Sequence, residues 1–381
     1  MKIGILTHSL KNNYGGLLQN YALQVVLKQM GHEVLTVDRM KNTPFSVKIK
    51  SILKRGLRKV SGENVKLRAW TTKKEDDIIN QYTRGFVNRH ISTTRTVYSS
   101  NDLENIHSEY GFDGYIVGSD QVWRRNGYGN DNEFLDFVSN VNDIKKIAYS
   151  ASFGIDNWNY TKDETEKYAR LAKLFDNISV REKSGIDLCK NYLGVEAIQM
   201  PDPTMLLDKE DYIDLVKKAG IQQSQGDLFT YILDRSNDKK KIVNEVSEQL
   251  SLTPFEVMPE QSFMVDLPKG QKFDINKCKF PRVEEWLRAF MDAKFVITDS
   301  FHGTVFALLF NKPFISIQNA KRGSTRFHSL LSLFDLQERL ITDNDQFNTQ
   351  LVFNKIDYSK VEEKRKMLKE QAQVFLTLAL K

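Results

Sequence analysis

The sequence has few cysteines and no long apolar run. Only Cys189 and Cys278 occur among 381 residues, far apart and without a C-x-x-C or histidine spacing. This argues against a disulfide framework or a zinc site and fits a reducing cytoplasm. No unbroken apolar stretch reaches the roughly 18 residues that a membrane-spanning helix needs. The start, residues 1–10, soon gives way to polar residues, so we expect a first strand and not a secretory signal.

Acidic residues are almost missing from the segment 41–74, where Glu63 is the one acid beside eleven lysines and arginines. Within it, residues 46–60 place apolar side chains at helical spacing among six basic residues. This pattern predicts a helix that could lie on an anionic membrane surface. A solvated helix packed on its own domain is the alternative. Nucleic acid is disfavoured as a partner, because no aromatic residue is interleaved among these charges.

The length predicts two domains, because 381 residues are too many for one ordinary core and roughly 150 to 190 per domain is expected. A strand at 2–8, a glycine turn, a helix at 17–30 and a strand at 33–38 form a first strand-helix-strand unit. Its NYGG turn is not the dinucleotide fingerprint, so no nicotinamide or flavin site is expected. Further strands are predicted at 113–119, 147–153, 178–180, 228–233, 295–297 and 314–317.

Polar residues directly follow several of these strands. In open α/β sheets ligands bind outside the carboxyl ends of strands, so such residues are candidates for chemistry. The densest group is DSFHGT at 299–304, where helix N–H groups could also hold an anion. Asp120 follows its strand in the same way. The alternative for the first group is structural, with Asp299 or Ser300 capping the helix and His302 filling the interior.

Basic side chains lie where they could hold an anion. Arg181 follows the strand at 178–180, and a guanidinium can bind a carboxylate or phosphate through two parallel hydrogen bonds. A surface ion pair with Glu182 is the alternative. The loop 318–329 is also basic, and is either an anion receptor or a solvated run of charge. Asp202 lies between two prolines that fix its direction.

Six blocks of the sequence resemble the polysaccharide pyruvyl transferase family: GGLLQNYALQ, DGYIVGSDQVW, IAYSASFG, VREKSG, PDPTMLL and VITDSFHGTVFALLFNKPF. They occur in family order, and the combination of DSFHGT with GSDQVW is specific. The segment 43–103 and the C-terminal residues lie outside the resemblance. The resemblance implies an α/β fold with two Rossmann-like domains in a GT-B-like arrangement. Their expected bounds are 1–175 (acceptor side, with the basic insertion 41–74) and 176–350 (phosphoenolpyruvate side), with a C-terminal helix in 351–381 that could pack back on the first domain.

The resemblance also implies an activity. A pyruvyl group would pass from phosphoenolpyruvate to a pair of sugar hydroxyls on a capsular polysaccharide or exopolysaccharide precursor, forming a pyruvate ketal and releasing phosphate. No metal or cofactor is expected, because acid and base groups suffice for this reaction. The acceptor is expected to be a lipid-linked oligosaccharide. The protein would be cytoplasmic and peripheral at the inner face of the plasma membrane, through residues 46–60.

The family pattern also implies roles for residues. Arg181 and His302 match positions that contact the donor substrate. His302 would act as general acid or donate a hydrogen bond to the phosphate, and Asp299 or Asp120 would act as base. Some members have R-L-H where this chain has Ser300-Phe301-His302, so an arginine is missing and Arg326 or Lys321 is the candidate replacement. The expected phosphoenolpyruvate-binding residues are Arg181, Ser300, His302, Gly303, Lys321 and Arg326, and the expected acceptor-binding residues are Tyr14, Gly15, Gly16, Gln19, Ser119, Asp120 and Gln121.

Two other functions compete with this one. A GT-B glycosyltransferase that uses a nucleotide sugar would need the same fold and similar anion-binding loops. A non-catalytic membrane-surface protein would explain the basic segment 41–74, but it would leave DSFHGT and VREKSG without a role.

Overall fold

The chain forms two parallel β-sheets surrounded by helices. The computed structural model describes residues 1–381 except 41–44, 62–64, 67, 69, 126–129, 264, 267–269, 320–322 and 343–346, and it describes 45–47 by their backbone alone. None of the helices in these described parts is long and apolar enough to cross a bilayer.

The first sheet has six parallel strands: β1 (Lys2–Leu6), β2 (Glu33–Thr36), β3 (Gly114–Val117), β4 (Lys145–Ala151), β5 (Asn177–Val180) and β6 (Ile198–Gln199). They lie in the order β2-β1-β3-β4-β5-β6, so the direction of winding reverses between β1 and β3. The crevice beside such a reversal, at the carboxyl ends of the strands, is where ligands of doubly wound sheets bind.

The second sheet repeats this winding with five parallel strands: β7 (Leu228–Tyr231), β8 (Pro254–Phe255), β9 (Phe295–Thr298), β10 (Phe314–Ile317) and β11 (Leu340–Ile341). Their order is β11-β10-β9-β7-β8, with the reversal between β7 and β9. The expected class, α/β with two Rossmann-like units in a GT-B-like arrangement, is confirmed by these two parallel sheets, whose polar strand ends contribute to one shared site described below.

The boundary between the two sheets differs from the expected one at 175/176. Strand β5 pairs with β4, and β6 pairs with β5, so residues 177–199 belong to the first sheet. The helical connections are α1 (Tyr14–Gln29), α2 (Phe45–Val60), α3 (Lys73–Ile79), α4 (Gln81–His90), α5 (Ser100–Tyr110), α6 (Lys162–Ala172), α7 (Lys183–Leu188), α8 (Lys209–Ala219), α9 (Asn237–Leu250), α10 (Val283–Asp292), α11 (Phe301–Leu309), α12 (Thr325–Leu333) and α13 (Tyr358–Ala379).

The two halves share a continuous apolar core. Tyr14, in the first turn of α1, stacks on Trp286 of α10 at 5.6 Å between ring centroids. Helix α13 also contacts the first half, since Phe375 lies 6.1 Å from the ring of Tyr149 in β4. Polar side chains that follow β3 and β5 are therefore held close to those that begin α11 in the second half.

Candidate active site

The guanidinium of Arg181, directly after β5, is the centre of the candidate site. It lies 3.0 Å from Asp202, 3.2 Å from Glu182 and 3.4 Å from Asp120. These four residues are called the ionic cluster below. The guanidinium also lies over the ring of Phe301, 4.2 Å from its centroid, which brings in the second half. All four cluster residues are nearly buried, so their pairing offsets a large desolvation cost.

Electrostatic interactions keep the ionic cluster charged. Burial alone would raise the pKa of Asp120, but Arg181 and nearby histidines lower it well below its usual range. Burial would also raise the pKa of Asp202, yet His302 and Arg181 lower it below its usual range. Burial would lower the pKa of Arg181, and the carboxylates around it raise that pKa above its usual value. Both aspartates are therefore ionised at neutral pH.

Asp120 is held in a strained backbone conformation after β3. Its φ is +73°, in the left-handed region that costs a residue other than glycine on the order of 1–3 kcal/mol. Its carboxylate accepts hydrogen bonds from Asn13 Nδ2 at 3.1 Å and from the backbone N–H of Gln121 at 2.9 Å. Asn13 also caps α1 by accepting from the N–H of Gly16. Such strain is concentrated at functional positions, so it supports a role for Asp120.

Asp202 joins the ionic cluster to His302, a link that the sequence did not indicate. Its Oδ2 lies 3.0 Å from Arg181 and 3.3 Å from Nε2 of His302. The same oxygen accepts from Ser119 Oγ at 3.2 Å. Its Oδ1 accepts from the N–H and the hydroxyl of Thr204, which fixes the carboxylate. The turn with two prolines thus positions a site residue.

His302 lies between the two halves. It belongs to the first turn of α11, is 5% exposed, and packs its ring on Gly15 at the start of α1. A Cβ added to Gly15 would fall 2.1 Å from ring atoms of His302, so the imidazole can approach only because this residue is glycine. The ring is thereby placed beside Asp202.

Arg326 of α12 brings a second guanidinium to the site. Its Cζ lies 5.7 Å from the centroid of Phe301, on a side chain that is nearly buried. Burial, followed by the charge of Arg181, lowers the pKa of Arg326 to about 10, so the group stays protonated at neutral pH. Lys321, the other candidate for the missing arginine, lies outside the described residues.

Glu182 is a buried member of the ionic cluster that the sequence suggested only as a surface partner of Arg181. The ion pair exists, but Glu182 is 1% exposed. Its Oε1 accepts from Ser152 Oγ at 2.7 Å and from Arg181 Nε at 3.2 Å. Its buried Oε2 has no hydrogen-bond donor among the residues that the structure describes. Its place directly after Arg181 at a strand end was the signal available in the sequence.

Asp299 does not join the ionic cluster. Its buried carboxylate has four donors, all from the second half: the N–H groups of Leu233 and Asp234 at 2.6 and 3.0 Å, Lys239 Nζ at 2.9 Å and Asn319 Nδ2 at 3.1 Å. These donors hold the loop after β7, helix α9 and the loop after β10 together. These contacts support the structural alternative for Asp299, and its expected catalytic role stays a prediction.

Ser300 and Gly303, expected to contact phosphoenolpyruvate, build the start of α11. Ser300 Oγ accepts from the N–H of Gly303 at 3.3 Å as the helix cap. A Cβ added to Gly303 would lie 2.2 Å from Thr298 Oγ1, so the helix can approach β9 only with glycine there. Both residues place Phe301 and His302.

Most of the expected acceptor-binding residues make internal contacts. The hydroxyl of Tyr14 donates to the carbonyl of Pro281 at 2.9 Å across the two halves. Gln19 is fully buried, and its Oε1 accepts from the N–H of Ser119. The N–H of Gly16 is used in the helix cap. Tyr14, Gly16, Gln19 and Ser119 thus use these polar groups in contacts within the protein, and these contacts support the site.

Three expected acceptor-binding residues border the site. Gly15 contacts the imidazole of His302, and Asp120 belongs to the ionic cluster. Gln121 is partly exposed next to it, where its Oε1 accepts from Arg124 Nη1 at 2.7 Å. The first half therefore supplies a polar border to the ionic cluster.

The fold and the site together define a two-unit α/β protein with a buried ionic site between its halves. A sequence profile described as polysaccharide pyruvyl transferase matches residues 13–321, which include every residue of the ionic cluster and His302. The chain belongs to this family.

Several solved structures resemble the chain in fold at low sequence identity. A UDP-GlcNAc 2-epimerase from Neisseria meningitidis aligns at TM-score 0.49 and 10% identity, over 100% of this chain and 99% of that one. The UDP-GlcNAc 2-epimerase of Methanocaldococcus jannaschii aligns at 0.45 and 13%, over 95% and 92%. A glycosyltransferase from Rickettsia africae aligns at 0.44 and 9%, over 99% and 93%. No curated protein matches the sequence.

Proposed function

We propose that this protein transfers the pyruvyl group of phosphoenolpyruvate to two hydroxyls of one sugar, forming a cyclic pyruvate ketal and releasing phosphate. Membership of the family supports pyruvyl transfer to a polysaccharide-type acceptor. The observation that carries the proposal is the meeting of Arg181, Asp202 and His302 between the two halves. Cations, an imidazole and ionised carboxylates in one buried place are the groups that this reaction uses.

The donor site needs positive charge, because phosphoenolpyruvate carries a carboxylate and a phosphate. We assign this role to Arg181 and Arg326, which both lie by the ring of Phe301. The ring directly follows Ser300, the position where some family members carry arginine. Arg326 reaches the same ring from α12, so it can supply the missing charge.

The protons of the reaction balance among His302, Asp120 and the leaving phosphate. His302 donates a proton to the methylene carbon of the donor, and the adjacent carbon becomes electrophilic. Asp120 accepts the proton of the first sugar hydroxyl as that oxygen bonds to the electrophilic carbon. When the second hydroxyl bonds to the same carbon, the bond to the phosphate oxygen breaks and the second proton leaves with phosphate. Asp120 returns its proton to His302 for the next cycle.

The charge of Arg181 couples donor binding to the strength of the base. Arg181 depresses the pKa of Asp120, which leaves Asp120 ionised but a weak base. When the donor substrate binds, its anionic group would pair with Arg181 and partly neutralise that positive charge. The pKa of Asp120 would then rise toward its ordinary value. The acceptor hydroxyl would then be deprotonated efficiently only when a donor is present.

The acceptor is proposed to be a sugar of a capsular polysaccharide or exopolysaccharide precursor carried on a lipid. Such a substrate lies at the cytoplasmic face of the membrane, which is the proposed place of action. Its sugar would approach from the first half, where Gly15, Asp120 and Gln121 border the ionic cluster.

Incubation of the protein with phosphoenolpyruvate and a panel of lipid-linked sugars tests the proposal. We expect a mass gain of one pyruvyl group on the sugar for each phosphate released. Transfer of a glycosyl group from a nucleotide sugar, with phosphoenolpyruvate unused, would instead identify a glycosyltransferase. If no donor is used and His302→Ala changes neither folding nor lipid binding, the protein is a non-catalytic surface protein.

A further inference from the structure

Helix α2 turns apolar side chains away from the protein. Leu53, Leu57 and Val60 are 64%, 74% and 89% exposed, and Ile49 and Ile52 are 42% and 43% exposed. At 100° per residue these five positions share one face of the helix. A single exposed leucine is ordinary, but a contiguous apolar face marks an interaction surface. The alternative, a solvated helix packed on its own domain through its other face, is distinguished by the experiments below.

The opposite face of α2 attaches the helix to the protein. Arg55 donates to Asp266 at 2.8 Å and to the carbonyl of Lys66 at 3.1 Å. Arg58 lies 3.4 Å from the other carboxylate oxygen of Asp266. The side chain of Arg55 is only 14% exposed, so this face is the inner one. The helix is anchored by its arginines, and its apolar face is thereby directed outward.

Three exposed lysines line the edges of the apolar face. Lys50 and Lys54 lie on one edge and Lys59 on the other, by the same helical geometry. Lysines in such positions can reach lipid phosphates while the apolar side chains enter the interface between headgroups and acyl chains. Their common charge repels a second copy of α2 and is attracted by an anionic surface. Charge therefore favours a membrane as the occupant.

We propose that α2 is a membrane-surface helix that inserts its apolar face into the headgroup region of an anionic bilayer. The reason for membrane binding rests on the proposed function, in which the acceptor sugar is carried on a lipid. The docking itself depends only on α2. The apolar side chains that enter the bilayer are Ile49, Ile52, Leu53, Leu57 and Val60.

Contacts of α2 and of the chain that follows it lead to loops near the ionic cluster. Asp266 belongs to the segment between β8 and α10, so the anchor of α2 comes from the second half. Helix α3, further along the same insertion, pairs Asp76 with Lys11 at 3.0 Å. Lys11 lies in the loop between β1 and α1, which also carries Asn13, the partner of Asp120. A bilayer that binds α2 would thus lie beside the loops that border the ionic cluster.

A fluorescent label tests insertion directly. Both cysteines of the chain are buried, so one introduced cysteine can be labelled selectively. An environment-sensitive dye at Leu57→Cys should shift to shorter wavelength with vesicles of phosphatidylcholine and phosphatidylglycerol, and not with phosphatidylcholine alone. The matched control is Val374→Cys on α13, where the side chain is 59% exposed and no shift is expected.

Two sets of variants separate the apolar contribution from the charged one, with sedimentation on the same vesicles as the measurement. Leu53→Glu with Leu57→Glu should weaken binding by roughly tenfold or more. Neutralising the three edge lysines to glutamine should weaken it about a hundredfold and remove most of its salt dependence. The matched controls, which should bind as the parent does, are Val374→Glu with Leu378→Glu and the triple change Lys217→Gln, Lys218→Gln and Lys240→Gln.

Several outcomes would overturn the inference. Binding that is independent of lipid charge would exclude the anionic surface as the occupant. Binding that survives Leu53→Glu with Leu57→Glu would exclude the apolar face as the contact. If the parent forms a dimer in solution and does not bind vesicles, and if Leu53→Glu with Leu57→Glu dissociates that dimer, the occupant of the apolar face is a second copy of the chain. Vesicle binding without any pyruvyl transfer would support the membrane-surface helix and refute the proposed function. Transfer to soluble acceptors without vesicle binding would support the proposed function and refute the membrane-surface helix.

Discussion

The carboxyl edges of the two sheets carry the same residue types and use them differently. β3 is followed by Ser119 and Asp120, and β9 by Asp299 and Ser300, so each apolar strand delivers an aspartate to its end. Asp120 faces Arg181 in the buried cluster between the halves. Asp299 is enclosed within its own half.

The difference lies in the partners of the two carboxylates. Asp120 shares the cation Arg181 with two other acids, so a substrate anion that engages this guanidinium would change its charge balance. Asp299 pairs with a buried lysine, Lys239, and accepts from two backbone N–H groups. A short apolar strand followed by an aspartate thus predicts a sheet edge. The role of the aspartate depends on the side chains beside it, because Asp120 shares Arg181 with two other acids close to His302, whereas Asp299 pairs with Lys239.

The largest expected effect is on the rate of pyruvyl transfer. Asp120→Asn should lower that rate by about 10²- to 10⁴-fold, the range for loss of a general base, because the amide cannot accept the hydroxyl proton. Asp299→Asn should leave the rate per folded molecule near that of the parent. Initial rates, divided by the folded fraction from circular dichroism, make the comparison.

The stability of Asp120→Asn is the control for this comparison, since the change keeps size and leaves Asp202 and Glu182 to pair with Arg181. Equal rate losses in the two variants would remove the distinction between the edges. A normal rate for Asp120→Asn would reject Asp120 as the base.

The second prediction concerns stability at the other edge. Asp299→Ala leaves Lys239, which is 2% exposed, without its carboxylate and should lower the free energy of unfolding by roughly 3–5 kcal/mol. Urea denaturation measures this loss. Adding Lys239→Met should restore part of the stability, because the buried positive charge beside the missing carboxylate is then removed. If Asp299→Ala unfolds at the parental urea concentration but loses activity, Asp299 belongs to the chemistry after all.

Local patterns allowed much of the fold to be predicted from the sequence. The strand at 314–317 has the predicted bounds, because apolar spacing is a property of neighbouring residues. The expected domain boundary at 175/176 separates residues 177–199 from the sheet with which they pair, since strand pairing joins residues far apart in the chain.

The site was predicted only in part, because local patterns identify candidate residues and long-range contacts decide which of them meet. Arg181, Asp120 and His302 lie at strand ends or helix starts, where sequence identifies candidates, and the structure brings all three to one place. Asp202 and Glu182 had weaker signals, because Asp202 lies between two prolines and Glu182 directly follows Arg181. Their place in the ionic cluster arises from burial beside Arg181, which depends on contacts between residues far apart in the chain.

The third prediction compares the cations of the two edges. Arg326→Gln should raise the KM for phosphoenolpyruvate by about 10- to 100-fold, the value of one hydrogen bond to a charged group, with little change in the KM for the sugar. Lys239→Met, at the other edge, should alter stability and leave both KM values unchanged. Steady-state kinetics with each substrate varied in turn provides the test. An equal rise in both KM values would show that Arg326 is not the donor contact.

The last and smallest effect compares two glycines that permit close contacts. A Cβ at Gly15 would meet the ring of His302 at 2.1 Å, whereas one at Gly303 would meet Thr298 Oγ1 at 2.2 Å. Gly15→Ala should therefore displace the imidazole and lower kcat by roughly tenfold, because misplacement of a catalytic group is costly even over short distances. Stability should change little, since alanine favours the helix by up to about 1 kcal/mol and offsets part of the clash.

Gly303→Ala should show the opposite balance. Overpacking of α11 against β9 costs about 1–3 kcal/mol of unfolding free energy, and Thr298 is fully buried, so little relaxation is available. The folded fraction should nevertheless retain more of its kcat than Gly15→Ala does, because Thr298 takes no part in the proposed chemistry. Thermal unfolding and kcat, measured on both variants, decide the matter. If Gly15→Ala lost stability and kept its kcat, the contact between α1 and His302 would serve packing alone, and the imidazole would not need the position in which the structure holds it.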